Sequence, residues 1–168
     1  MVDSMEISIL IAEALKFIFP AYCANALPVI AGGGLQIDLG RNFTDGKPIF
    51  GKNKTYRGFF FGLGMGIFVG LIESILFGYP ILFVLLPPMG ALLGDLFAAF
   101  IKRRLNIAPG GLLPIVDQID FVVGAILFSI PLGIIFWELA IAVIIITPPI
   151  HLFTNFAAFK LGLKSNPW

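Results

Sequence analysis

Asp95, Asp117 and Asp120 stand on either side of a Lys102-Arg103-Arg104 cluster in a chain of 168 residues of which only 12% are charged. Asp95 lies in GALLGDLFAAFIKRRL, seven residues before Lys102. On a helix that spacing puts both on one face, with the carboxylate about 10 Å inside the basic end. A local ion pair with Lys102 is the bland reading. APGGLLPIVDQID follows, with a Gly-rich turn, Pro114, and then Asp117 and Asp120 at i, i+3 on a common helical face. Asp117 alone would also suit a helix start, where the macrodipole favours negative charge, but Asp95 has no such explanation. Hard oxygen donors of this kind suit Mg²⁺, which binds through a few carboxylates and keeps positions for substrate phosphates. Upstream, GKNKTYRG adds Lys52, Asn53, Lys54, Thr55 and Arg57. Metal carboxylates beside Lys and Arg form a phosphate-handling set, in which metal and cations clamp phosphoryl oxygens as charge develops on them. The alternative is that these cations only set topology and touch anionic headgroups. GKNKT lacks the G-x-x-x-x-G-K-[ST] spacing of a P-loop, so any nucleotide must be bound in another way.

The elements that must position these groups are membrane helices. The chain is 58% hydrophobic, with 18 Phe and 19 Gly, and its mean hydropathy is +0.99. Soluble domains carry about twice its share of charge. Windows of about 20 apolar residues predict spans near 8–30, 58–78, 80–101, 117–136 and 138–160. These runs are continuously apolar, which favours helices over the alternating strands of a barrel. The expectation is one all-α, polytopic membrane domain, residues 1–168, with about five transmembrane helices and polar segments at about 31–57 and 102–116. Arg41, Lys47, Lys52, Lys54, Arg57, Lys102, Arg103, Arg104, Lys160 and Lys164 share one side if the N-terminus is outside, leaving only Lys16. The positive-inside rule then makes the C-terminus and the polar segments cytoplasmic. Asp3, Glu6 and Glu13 stand where a signal peptide would be basic, so the first run is expected to be a retained span.

Prolines at 28, 87–88, 131 and 148–149 should kink or break the spans, and Gly62, Gly64, Gly66 and Gly70 should let the second span pack closely. The same run would permit a homodimer. Glu73 and Glu138 are expected at exposed outer ends, Trp137, Tyr79 and Trp168 as interfacial anchors, and His151 and Cys23 as packing residues.

The ordered set Gly94-Asp95, Lys102-Arg103, Gly110-Gly111 and Asp117-x-x-Asp120, with GKNKTYRG before it, resembles the archaeal CDP-archaeol synthases, distant relatives of the phosphatidate cytidylyltransferases. The resemblance covers nearly the whole chain. Bacterial and eukaryotic relatives usually have Ser where Ala98 or Ala99 sits, His at Pro109 and Arg at Gln118; these departures fit the archaeal branch. The resemblance implies transfer of CMP from CTP to an isoprenoid ether-lipid phosphate, digeranylgeranylglyceryl phosphate, with release of pyrophosphate at the cytoplasmic face of the cell membrane. It implies Mg²⁺ on Asp95, Asp117 and Asp120, and phosphates on Lys102 and Arg103. It also implies triphosphate or base at Lys52, Asn53, Lys54 and Thr55, with Arg57 a weaker candidate. No nucleic-acid partner is expected. A CTP-dependent polyisoprenol kinase and a small transporter are the alternatives; the D-G-x-x-A-R opening of the CDP-alcohol phosphotransferases is absent.

Overall fold

A computed structural model describes residues 6–164, so Asp3 and the expected anchor Trp168 lie outside the described residues. The chain folds into α1 (Ile7–Ala26), α2 (Tyr56–Phe77), α3 (Leu86–Arg104), α4 (Val116–Ser129) and α5 (Trp137–Lys160). Among the described residues only two isolated bridges, Gln36 with Thr55 and Asn42 with Pro48, interrupt the helical pattern.

Local chemistry sets the helix ends. Thr55 caps α2 by accepting the Gly58 N–H, and Gly78 closes it at φ 74, a left-handed conformation that a side chain would disfavour. Pro87 and Pro88 fall in the first turn of α3, where a missing N–H costs nothing, and Lys102, Arg103 and Arg104 complement the dipole at its end. Pro28 and Pro131 likewise begin short 3₁₀ turns, whereas Pro20, Pro148 and Pro149 lie inside helices.

Among the described residues, four helical segments are long and apolar enough to cross a membrane: Ile7–Val29, Tyr56–Phe77, Ile81–Arg104 and Trp137–Lys160. The fourth expected span, 117–136, is instead the 14-residue α4 followed by the 3₁₀ turn Ile130–Leu132 and Gly133. At about 1.5 Å per residue α4 reaches about 21 Å, short of a hydrocarbon core. Pro131 cannot donate to the preceding turn, and Gly133 at φ 67 stops the helix where the apolar run continues.

The packing is that of a membrane bundle. The core joins Ala14, Ala21, Ala91 and Ala125 to a few larger side chains such as Phe17, Phe83 and Phe121, while Phe60, Phe68, Ile75, Ile145 and Phe153 point outward. Small residues let helices approach closely, because hydrocarbon gives large side chains no reason to be inside. In α2, a Cβ on Gly62 would lie 2.4 Å from the Ala24 carbonyl oxygen, and one on Gly66 2.6 Å from Pro88. The α2 glycines thus bring α1 and α3 close; only Gly64 faces open space.

Two expectations at the far end need correction. Glu73 is buried, not exposed among headgroups, because it falls on the α2 face that carries Gly62, Gly66 and Gly70 inward. Tyr79 stacks on Phe83 at 4.1 Å instead of standing out as an anchor, while Trp137 is exposed at the start of α5.

Candidate active site

The site begins with a backbone contact. A Cβ on Gly94 would lie 2.4 Å from the Asp120 carbonyl oxygen, and one on Gly124 2.1 Å from the Gly90 carbonyl oxygen. α3 and α4 therefore touch main chain to main chain along Gly90-x-x-x-Gly94 and Gly124. Asp95 follows Gly94 and Asp120 precedes Gly124 by one turn, so this seam sets the two carboxylates within electrostatic reach. Asp117, a turn before Asp120, accepts the Leu113 N–H at 2.9 Å. The intervening Ile115 holds φ 67, a conformation costly for a β-branched residue and maintained by the turn that swings Asp117 back towards α3.

A cavity of about 750 Å³ opens at this end of the bundle. Asp95, Lys102, Arg103, Asp117 and Asp120 all line it, as do Asn53, Lys54 and Thr55. The Thr55 hydroxyl is engaged as the α2 cap at 3.1 Å from the Gly58 nitrogen. Lys52 and Arg57 are exposed and lie outside the cavity wall.

The charges pair across elements. Lys54 donates to Asp95 at 2.5 Å, and Lys102 donates to both Asp117 oxygens at 2.7 and 2.9 Å. The local Asp95–Lys102 pair, the bland reading of that spacing, is thus not the one that forms. Arg103 is buried between Gly51, Pro109 and the cavity, and its Nε and Nη1 find no protein partner. Arg104 has a structural job: it pairs with Asp45 at 3.0 Å, stacks on Phe43 and Phe100, and donates to the Lys47 and Pro48 carbonyls.

Among the described residues no group of three or more His, Cys, Asp or Glu is disposed to hold a metal ion. The donor chemistry of the cavity nevertheless fits a hard cation. Three carboxylates line one space, Asp95 and Asp117 each accept from a different lysine, and among the described residues Asp120 bonds only to the Phe121 N–H, at 2.6 Å.

Some of the site was not anticipated. Asp38, in the first polar segment, accepts N–H bonds from Gly40, Phe50 and Gly51 at 3.0, 2.9 and 2.8 Å, folding the loop that delivers Asn53 and Lys54. Burial pushes its carboxyl up, but the N–H groups of Gly51, Phe50 and Gly40 outweigh burial and hold it below the usual value. An Asp among glycines and turn residues was the available signal. On the opposite side, His151 and Asn155 of α5, with Lys164 beyond it, also line the cavity. His151 packs near Phe121 with ring centroids 5.9 Å apart, as a packing residue would, yet it also borders the cavity.

A family model described as CarS-like, CDP-archaeol synthase, matches residues 7–168. The CDP-archaeol synthase of Pyrococcus furiosus is 44% identical over 164 residues, spanning 94% of this chain and 98% of that protein. That of Methanococcus aeolicus is 42% identical over 178 aligned positions, spanning 98% of this chain and 100% of the relative. A solved structure of an intramembrane enzyme for archaeal membrane lipids biosynthesis shares 36% identity and a TM-score of 0.79, covering 86% of this chain and 94% of that one.

Proposed function

The chain belongs to the CarS-like family of CDP-archaeol synthases, and from that membership we propose how its cavity transfers a cytidylyl group from CTP to an isoprenoid ether-lipid phosphate. It is a membrane cytidylyltransferase of archaeal lipid biosynthesis. Membership in this family replaces the kinase and transporter alternatives. The observation that carries the mechanism is the buried Arg103 side chain, whose Nε and Nη1 make no hydrogen bond within the protein, in the wall of a cavity that also holds Lys54 and Lys102. Buried guanidinium N–H groups left without an acceptor are costly, and phosphoryl oxygens would satisfy them.

In the reaction an oxygen of the lipid phosphate forms a bond to the α-phosphorus of CTP. The bond from that phosphorus to the oxygen bridging the β-phosphate breaks, and pyrophosphate leaves with the electron pair. A phosphate monoester is already an anion near neutral pH, so positioning and charge neutralisation dominate over proton abstraction. Asp95, Asp117 and Asp120 would hold Mg²⁺, which when bound supplies charge neutralisation at the triphosphate. Lys54 and Lys102, resting on Asp95 and Asp117, keep cations within reach of phosphoryl oxygens entering the cavity. Asn53, Lys54 and Thr55, with Gly110 beside Asn53, bound the nucleotide side; Lys52 and Arg57 add positive charge at the surface.

We assign five crossings and a cytoplasmic site to this single catalytic domain. Ile134 and Phe136, beyond α4, share a small cavity with Glu13, Phe17 and Tyr79, at the end of the bundle opposite the carboxylates. This supports α4, its 3₁₀ turn and residues 133–136 completing one crossing together. The basic groups on the loop side then face the cytoplasm.

The position of the label tests the reaction. With purified protein, Mg²⁺ and digeranylgeranylglyceryl phosphate, CTP labelled at the α-phosphate should label the lipid and CTP labelled at the γ-phosphate should not. The reverse pattern would mean phosphoryl transfer and would remove this mechanism.

A further inference from the structure

We propose that Arg104 is a positioning residue for the nucleotide: by latching the first polar segment to the end of α3, it holds Asn53 and Lys54 in a fixed place relative to Lys102 and Arg103. The inference rests on the transferase reading above and assigns a residue that acts on the reaction from outside the cavity.

Residues 41–49 fold back on themselves. The bridge between Asn42 and Pro48 pairs the two arms, the Phe43 N–H donates to the Lys47 carbonyl at 2.8 Å, and the Asp45 carboxylate accepts the Lys47 N–H at 3.1 Å. Gly46, at φ 77, makes the turn possible. This small hairpin grips the last residue of α3. Arg104 Nε lies 3.0 Å from an Asp45 oxygen, and its guanidinium stands 5.1 and 4.6 Å from the ring centroids of Phe43 and Phe100, which meet edge to face. Its Nη2 donates to the Lys47 carbonyl at 3.2 Å and to that of Pro48. The grip is returned by Lys47 Nζ, which donates at 2.8 Å to the Arg104 carbonyl, a helix-end acceptor of the kind that lacks a partner in its own helix. An ion pair with side chains 20% and 34% exposed would hold little alone, but the stacked rings and the forked donation to carbonyls make this one directional.

Arg104, Phe43, Asp45 and Lys47 all lie outside the cavity wall, so the latch acts without touching what the cavity holds. Its chain neighbours on both sides do line it. Lys102 and Arg103 come directly before Arg104, while Phe50, Asn53 and Lys54 follow soon after Pro48. Between these, the Phe50 and Gly51 N–H groups are held by Asp38, and a Cβ on Gly51 would lie 3.5 Å from Arg103 Nη1. The loop thus comes up against Arg103 itself. Releasing Arg104 would free one of the two anchors of this segment, leaving Asp38 to hold it within itself but not against α3. A triphosphate gripped by the loop and by the end of α3 together would feel a displacement of either one.

The test is a split of Michaelis constants in purified full-length protein, with CTP and digeranylgeranylglyceryl phosphate varied in turn. Arg104→Leu should raise KM for CTP roughly tenfold and leave KM for the lipid within about twofold, with CTP affinity in calorimetry without lipid falling by a similar factor. Asp45→Asn keeps an acceptor for the Lys47 N–H but removes the charge facing Arg104, and should raise KM for CTP about threefold; both substitutions together should do no more than Arg104→Leu alone. Arg104→Lys, with the charge but not the fork, should fall between Arg104→Leu and the unaltered protein. A purely architectural role would lower the melting transition and leave both constants alone. Unchanged KM for CTP in folded variants, an equal rise for both substrates, or additive losses in the double variant would each overturn the latch. Should Arg104→Leu not fold, Asp45→Asn and Arg104→Lys carry the same comparison. Failure of the transferase reading itself would show earlier, as absent α-label transfer by the unaltered protein.

Discussion

Asp95 and Asp117 each hold an ammonium group, and removing either lysine should disturb more than one charge. The Lys102–Asp117 pair is only 13% and 19% exposed, so Lys102→Met leaves a carboxylate with little water and the Leu113 N–H alone. Thermal unfolding in detergent should show a loss of about 1–3 kcal/mol, and label transfer should fall about a hundredfold as a phosphate-binding cation disappears. Asp38 tests the loop. Its depressed carboxyl contributes stability that is fully present above the ordinary value of 3.8 and is lost as acidification passes through the lowered folded value. Asp38→Asn should therefore unfold at lower temperature at pH 7 by a few degrees and lose the acid-side decline, measured as melting temperature against pH. The three site aspartates were legible in the sequence because charge is expensive in an apolar chain. Their partners were not, since spacing along one helix sees Lys102 beside Asp95 but cannot see Lys54 arriving from a loop 41 residues earlier. His151, lacking a second histidine, carried no local signal at all.

At the scale of elements, the α3–α4 seam decides whether the carboxylates meet. A methyl group on Gly124 would sit 2.1 Å from the Gly90 carbonyl oxygen, so Gly124→Ala must push the helices apart. It should cost about 1–3 kcal/mol and lower turnover by at least about tenfold, whereas Gly64→Ala, facing open space, should leave both unchanged. Equal effects of the two substitutions in melting and label-transfer assays would contradict the seam's role. The close-packing glycines of α2 were readable as a motif. The α3 glycines are harder to see, because Gly94 is masked by the chemistry of the adjoining Asp95 and its partner Gly124 lies on another helix. The end of α4 was misjudged for a related reason: hydropathy continues to residue 136, but Pro131 and Gly133 end the helix regardless of it.

For the whole molecule, composition alone made a helical membrane protein legible, since 12% charged residues leave few places for polar loops. The sidedness of those loops follows from the distribution of Lys and Arg and remains a physical expectation that labelling can test. In a Cys23→Ser background, Gly46→Cys in the first polar segment should react with a membrane-impermeant maleimide only from the cytoplasmic side, and Pro80→Cys only from the other. On the proposed mechanism, the cavity at the α3–α4 seam carries out cytidylyl transfer through its carboxylates. The most direct measurement follows α-labelled CTP into digeranylgeranylglyceryl phosphate with purified protein and with Asp120→Ala, each checked for a native melting transition. Mg²⁺-dependent lipid label in the unaltered protein, reduced at least about a thousandfold in the variant, is the predicted result. A folded Asp120→Ala protein that labels lipid at the unaltered rate would contradict the account.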